Sequence, residues 1–182
     1  MNGLRSAAPI ARFSHGLLRA LQPSDAEVLA TLANDRDIWL NLRDAFPHPY
    51  CEDDAEAFIN HVATLPMEAA VGIEASGDGL AGVIGATRGT DIEACGAEVG
   101  YWLGRAFWGR GLASAALQAF RDWLFDETDL MRLYAVPFAD NAASCRVLEK
   151  SGFVLEGRLR SSARKAGRLN DQLVYAFVRG DS

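Results

Sequence analysis

The sequence predicts a mixed α/β fold (α+β in its arrangement), a mixed sheet with helices on both faces. Three observations carry this. Two apolar segments, EAAVGIEA and LAGVIGATR, are split by Ser76-Gly77-Asp78-Gly79, a strong hairpin signal. A strand–helix–strand unit then runs from GAEVGYWLG through LASAALQAFRDWLF to LMRLYAVPF. The segments FVLEGRLRS and LNDQLVYAFV close the chain as a second hairpin. At 182 residues and 49% hydrophobic, the chain reads as one domain over 1–182, with residues 1–15 a loosely ordered N-terminal extension.

The elements follow in order. GLLRAL (16–21) reads as the first strand. Ser24 and Glu27 form an S-x-x-E capping box before a helix that buries Val28, Leu29 and Leu32. DIWLNLR (37–43) reads as a second, short helix, followed by the proline-bracketed loop FPHPY. A third helix starts near Glu52, Asp53 and Asp54, acids that complement the positive end of its dipole. It buries Ala55, Phe58, Ile59 and Val62 at helical spacing. After the hairpin and GAEVGYWLG comes the long helix. Its core stripe is Leu112, Ala116, Phe120 and Trp123, with Ser114, Gln118, Arg121 and Asp122 facing water. LMRLYAVPF (130–138) reads as a buried strand, and NAASCRVLEKSG as a short helix stopped by Gly152.

Bulk properties exclude several functions. A net charge of −6 argues against a nucleic-acid partner, which selects for basic surfaces, and suits an amine-bearing one. Cys51, Cys95 and Cys145 are scattered without CxxC spacing, so neither a disulfide framework nor a zinc site is expected, and no other metal site is visible. A reducing cytoplasm is the default for such cysteines. The N-terminus lacks the apolar region of a signal peptide, and no apolar run nears the roughly 20 residues a membrane span needs. The expected protein is soluble and cytoplasmic, with no membrane partner.

The stretch FWGRGLAS (107–114) puts two glycines and an arginine where a strand hands over to a helix. Glycine weakens the interior of either element, so its presence here implies a backbone need. Gly104 to Gly111, GRAFWGRG, lacks the features of a nucleotide P-loop. Arg110 stands where the phosphate-reaching lysine belongs, and Gly111 removes the metal-binding hydroxyl. A dinucleotide fingerprint would follow the first strand of a parallel unit, whereas a hairpin precedes this one. Two readings remain. Either Gly109 and Gly111 only shape a tight link, or main-chain N–H groups at the helix start receive an anion.

The blocks EVGYWLGRAFWGRGLASAAL and LYAVPFADNAASCRVLEKSGF, about thirty residues apart, resemble the GNAT superfamily of acetyl-CoA-dependent N-acetyltransferases. The similarity is nearest to the branch of ribosomal-protein N-terminal acetyltransferases and extends over nearly the whole chain. It implies a mostly antiparallel sheet with one splayed strand pair, acetyl-CoA as co-substrate, no metal, and a monomer or homodimer. The implied acceptor is a primary amine, on a protein N-terminus or a small molecule. The implied pyrophosphate loop is Trp108, Gly109, Arg110, Gly111, Leu112, Ala113 and Ser114. Trp108 departs from the usual Gln or Arg at its start, while Gly111 and Ala113 fill the small-residue positions. Hydrogen bonds to charged groups contribute about 1.5–3 kcal/mol each, so three or four main-chain N–H groups would anchor a pyrophosphate. Arg110 would add charge, or is a solvated surface residue, as Arg105 also can be.

By the same resemblance Tyr101, Trp102 and Leu103 offer backbone groups to the pantetheine amides, and Asn141 and Ser144 approach the pantetheine and the thioester sulfur. Asn141 also reads as a plain helix N-cap. Arg146 and Lys150 reach the phosphates or form a solvated face. Cys145 reads as a small buried residue, because a covalent acyl-cysteine route needs a base and no histidine is placed to pair with it. The chemistry implied is direct attack of an amine on the thioester carbonyl. Glu98 is the candidate general base, with an edge charge or salt-bridge partner as its other reading. Alternation puts it on one strand face with Gly100 and Trp102, unless a bulge shifts the register. Ser144 is the candidate proton donor to the thiolate. The alternatives are a non-catalytic acyl-CoA sensor or an assembly protein on the same fold. RLRSSARKAGR would disfavour highly basic acceptors if it borders the acceptor mouth, and LNLRDAFPHPY lines the acceptor side.

Overall fold

The computed structural model describes residues 8–180. The chain begins with two short strands, β1 (Pro9–Phe13) and β2 (Gly16–Arg19), then three helices, α1 (Ala26–Ala33), α2 (Arg36–Trp39) and α3 (Glu52–Val62). The expected hairpin is β3 (Val71–Ala75) and β4 (Gly79–Arg88). Next come β5 (Gly96–Leu103), α4 (Leu112–Glu127), β6 (Arg132–Ala135) and α5 (Ala142–Lys150). The terminal hairpin is β7 (Val154–Lys165) with β8 (Arg168–Val178). All eight strands join one sheet in the order β1-β2-β3-β4-β5-β6-β8-β7. Every pair is antiparallel except β5 with β6, whose crossover is α4. This is the mixed sheet that the sequence predicts.

Two apolar layers cover the two faces. On one, Leu112, Ala116, Leu117, Phe120 and Leu124 of α4 pack with Leu148 of α5 on Ile84, Val99 and Leu133 of the sheet. On the other, Leu29 of α1 and Ile59 and Val62 of α3 pack on Leu80 and Val83. Adjacent residues of β5 therefore serve opposite layers: Val99 and Leu103 the first, Trp102 the second.

Several local expectations are corrected. Residues 1–15 are not a loose extension throughout. Pro9–Phe13 pairs with β2, because Ile10, Ala11 and Phe13 find a place on the α4 side of the core; residues 1–7 lie outside the described part. The Ser24–Glu27 box does not open α1. A short turn at Pro23–Asp25 precedes it, and the Asp25 carboxylate accepts the Gln22 N–H at 2.7 Å. Asp25 also receives both terminal nitrogens of Arg19, at 2.7 and 2.9 Å, while Arg19 Nε reaches Glu74. These hydrogen bonds, Asp25 first, hold the Arg19 guanidinium above its ordinary value despite its burial. Val28 is 45% exposed, and α1 buries Ala26, Leu29 and Ala33 instead. On α4, Leu117 and Leu124 join the core, and half-buried Trp123 stacks on Phe120. The second helix is shorter than expected, with Asp35 accepting the N–H groups of Asp37 and Ile38 as its N-cap.

The β4–β5 contact holds the strand on which the candidate site is built, and Gly82 is its tightest point. A methyl group there would lie 2.1 Å from the Trp102 carbonyl oxygen. Nothing lies within 4 Å of a methyl at Gly100 on the same strand pair. Gly82→Ala is expected to destabilise the fold by about 1–3 kcal/mol through overpacking, whereas Gly100→Ala should change stability by less than about 0.5 kcal/mol. Denaturant midpoints of the two variants check this, and equal losses would show that close approach at Gly82 does not hold β5.

Candidate active site

The register between β4 and β5 is unbroken from Gly82↔Leu103 to Arg88↔Ala97, so no bulge disturbs it. With β6 the strand pairs only at Gly96, Ala97 and Glu98. From Val99 to Leu103, β5 has left its parallel neighbour. The Gly104 N–H donates to the Ala81 carbonyl at 2.9 Å, and the Trp102 carbonyl lies against Gly82. Alternation then turns the polar groups of Tyr101 and Leu103 toward the open edge. Trp102 thus differs from the expectation: its main chain serves β4, and its ring meets Phe46 edge-on at 5.7 Å. The Leu103 carbonyl accepts the Trp108 indole N–H at 2.7 Å.

The glycine loop follows. Gly109 and Gly111 have φ of 73° and 77°, in the left-handed region that favours glycine. Gly111 is the N-cap of α4 and brings no side chain to it. The first-turn N–H groups of Leu112, Ala113 and Ser114 have no intrahelical acceptor. The Leu112 side chain is core, whereas Ala113 and Ser114 are half-buried. Arg110 turns sideways: its guanidinium pairs with Asp78 at 2.7 Å and lies over the Phe107 ring. Arg105 stacks over Trp108 and binds the Asp35 carboxylate through Nε at 2.8 Å, and it also contacts Asp37. That contact and the capped N–H groups hold the Asp35 carboxyl below its ordinary value.

The Asn141 side-chain oxygen accepts the Ser144 N–H at 3.0 Å, so the capping role is realised. Ser144 Oγ lies 2.9 Å from the Tyr101 hydroxyl, which joins α5 to β5 at the point where β5 runs free. Burial drives the Tyr101 hydroxyl well above its ordinary value, only partly opposed by the Ser144 hydrogen bond, so it stays protonated at neutral pH. Cys145 is buried beside it, and one turn further along α5 Glu149 receives the Tyr175 hydroxyl at 3.0 Å. The sequence points only to the backbone of Tyr101; the contact of its hydroxyl with Ser144 appears in the structure alone.

Glu98 occupies the last β5–β6 pair and projects to the α1–α3 side with Gly100 and Trp102, as alternation predicts. Its Oε1 receives Arg43 Nη2 at 2.6 Å, so the salt-bridge reading of Glu98 is realised in this structure. Arg43 comes from LNLRDAFPHPY, which places this loop over Glu98. The basic cluster on the terminal hairpin divides by face. Lys165 pairs across from Arg168 and meets Asp44 and Trp39, whereas Arg158, across from Leu173, turns to the α5 side and binds Asp171. A shallow concavity lined by Arg158, Leu159 and Arg160 sits on this hairpin, apart from Glu98 and Ser144. Among the described residues no group of three or more His, Cys, Asp or Glu is placed to hold a metal ion. No helix among them is long and apolar enough to cross a membrane.

Comparison with known proteins agrees with this geometry. Residues 16–154 match the acetyltransferase (GNAT) domain family. The chain is 30% identical over 169 residues to the uncharacterized N-acetyltransferase p20 of Bacillus licheniformis, covering 89% of this chain and 92% of the relative. It is 34% identical over 101 residues to the ribosomal-protein-serine acetyltransferase of Escherichia coli strain K12, 56% of each chain. Among solved structures it is similar to the Microcin C7 self immunity acetyltransferase MccE in complex with acetyl-CoA and AMP. The TM-score is 0.80 at 25% identity, over 95% of this chain and 98% of that one.

The two readings of Asn141 can be separated. Asn141→Asp keeps the capping oxygen but loses the amide donors, and Asn141→Ala loses both, with a capping cost of about 1 kcal/mol. If Asn141 also touches a ligand, the aspartate variant should bind acetyl-CoA more weakly at unchanged Tm. Calorimetry and thermal melts of the pair check this; wild-type affinity in the aspartate variant would leave only the cap.

Proposed function

The chain belongs to the GNAT acetyltransferase family, and we propose that it acetylates a primary amine by direct attack, with Glu98 as general base and Ser144 as acid. It is an acetyl-CoA-dependent N-acetyltransferase. The observation that carries the assignment of roles is the divergence of β5 from β6. Glu98 closes the last shared pair on one side of that opening, and the Tyr101–Ser144 contact lies on the other.

The donor-side residues suit a pyrophosphate and a pair of amides. The capless N-terminus of α4 supplies N–H groups from Leu112 to Ser114, and the left-handed turns at Gly109 and Gly111 keep side chains away from them. The Tyr101 backbone offers a strand-like edge, and the Asn141 amide keeps its N–H donors available beside it. Leu103 contributes its N–H alone, since its carbonyl is taken by Trp108. Arg110 would exchange Asp78 for a phosphate. When bound, acetyl-CoA supplies an acetyl thioester, so no activation step precedes attack.

An amine attacks only when deprotonated. An α-amino group with a pKa of about 7.7–8.0 is roughly one-tenth free at pH 7, whereas a lysine near 10.4 is far less so. A base within reach therefore helps the first and is close to essential for the second. Glu98 is the carboxylate on the acceptor side of the opening. Ser144 faces the opposite side, and the protonated Tyr101 hydroxyl can donate to its Oγ, leaving the serine proton directed at the leaving thiolate. The acceptor in this reading is a protein N-terminus or a small-molecule amine; the name of the Escherichia coli relative gives a ribosomal-protein serine for that protein. The reading keeps one domain over 1–182, and the three free cysteines support a cytoplasmic setting.

Glu98→Gln is expected to lower kcat about 10²–10⁴-fold with acetyl-CoA affinity nearly unchanged. The defect should shrink as pH rises, because more of the amine is already free. A pH–rate profile of both forms with one validated acceptor checks this. Parallel profiles with equal kcat, or a rise in acceptor KM alone, would remove Glu98 as the base.

A further inference from the structure

Two consecutive residues of opposite charge, Arg43 and Asp44, tie the loop after α2 to two different strands. Arg43 reaches Glu98 of β5 at 2.6 Å, and Asp44 receives Lys165 Nζ from β7 at 2.8 Å. Lys165 is the anomaly. It stands next to the turn of an otherwise exposed hairpin, yet its side chain is only 4% exposed, with its ammonium 4.1 Å from the centre of the Trp39 ring. A lysine is kept that far from water only when a carboxylate and an aromatic face compensate it. The loop is thereby fastened to the hairpin, and Arg43, 77% exposed, is held over Glu98 with donors to spare.

The four charges of this strap sum to zero. An acceptor ammonium arriving at Glu98 adds one positive charge beside the Arg43 guanidinium, whose main chain adjoins the Asp44–Lys165 tie. We propose that the strap selects acceptors in which the amine is accompanied by a carboxylate, the carboxylate passing to Arg43 as Glu98 turns to the amine. Arg43 is suited to this, since its planar fork binds carboxylates through two parallel hydrogen bonds. The carboxylate has two sources with one chemistry: an acidic side chain next to a peptide N-terminus, or the acceptor's own terminal carboxylate. This inference rests on the reading of Glu98 as the acceptor-side base.

The test measures CoA release with matched tripeptide amides, Ala-Asp-Phe, Ala-Asn-Phe and Ala-Lys-Phe, and with phenylalanine against phenylalanine amide. The wild-type protein should prefer the Asp peptide over the Lys peptide by at least about tenfold in kcat/KM, mainly through KM. A preference confined to the peptides assigns the carboxylate to a neighbouring side chain; one seen for phenylalanine over its amide assigns it to the acceptor's terminus. Arg43→Gln should bring the Asp and Lys peptides within about threefold of each other, and Arg43→Glu should invert the order. Lys165→Met, which keeps the stem over Trp39, should weaken the preference without changing the acetyl-CoA Kd. Because Arg43 is exposed, its variants remain informative even if the Lys165 variant does not fold. Equal or better use of the Lys peptide with no preference for phenylalanine over its amide, or preferences unchanged in Arg43→Gln, overturns the inference. Acetyl-CoA binding without CoA release from any of these acceptors overturns it too, while leaving the donor site intact. Absence of acetyl-CoA binding overturns the functional reading beneath it.

Discussion

A strand that loses one neighbour partway along its length leaves main-chain N–H and C=O groups that must be satisfied elsewhere. In this protein that strand is β5, which stays registered with β4 along its whole length but pairs with β6 over only three residues. β6 is only four residues long. All four of its residues pair with β8, and the chain beyond it continues to follow β8. The Val136 carbonyl takes the Gln172 side chain, the Pro137 carbonyl takes the Leu173 N–H, and Phe138 bridges Gln172. The sheet therefore opens between Glu98 and Leu103, and everything assigned a chemical role borders that opening.

The opening has two sides of different character. On the α4–α5 side the groups are main-chain donors and neutral hydroxyls, arranged by a side-chain-free helix start and by the Asn141 cap. On the α1–α3 side they are charges and aromatic rings: Glu98, Arg43 and Trp102 with Phe46. In the proposed reading, a polyanionic donor and a cationic acceptor are received by different chemistry on the two faces of one strand. Because neighbouring residues of a strand point to opposite faces, one short segment can serve both.

The segment from Asp35 to Phe46 links the two sides. Asp35 and Asp37 hold Arg105, which stacks on Trp108 at the start of the glycine loop. A few residues later Arg43 holds Glu98 and Asp44 holds Lys165. Exposed ion pairs contribute little singly, and the Arg105 and Arg43 contacts are of that kind. Their effect here is placement of the glycine loop and of Glu98 against one shared element.

How much of this was legible depended on the range over which each feature acts. The hairpin at Ser76–Gly79, the Gly152 stop and the glycine-rich handover to α4 were readable because turn and helix-end conformations are demands of the local backbone. The side of β5 that Glu98 takes followed from alternation alone. The Ser24–Glu27 cap was misread because Asp25 had a stronger bond to make with Arg19, whose own place is set by the pairing of β2 with β3. Val28 was misread because α1 is only eight residues long and buries a narrower stripe than its apolar content offers. The short strand at Pro9–Phe13 escaped notice because its pairing depends on an apolar surface supplied by α4.

By itself, then, the sequence determined the element order from β2 onward, the mixed sheet, the glycine loop and the candidate groups, since each is encoded in spacing between near neighbours. The tertiary structure alone decided that Trp102 turns its backbone to β4, that Tyr101 lends its hydroxyl to Ser144, and that Arg43 sits on Glu98. It also decided that Lys165 is buried against a loop 121 residues away. Contacts of that kind depend on which strands become neighbours and where one of them departs. No local pattern of residues records that pairing.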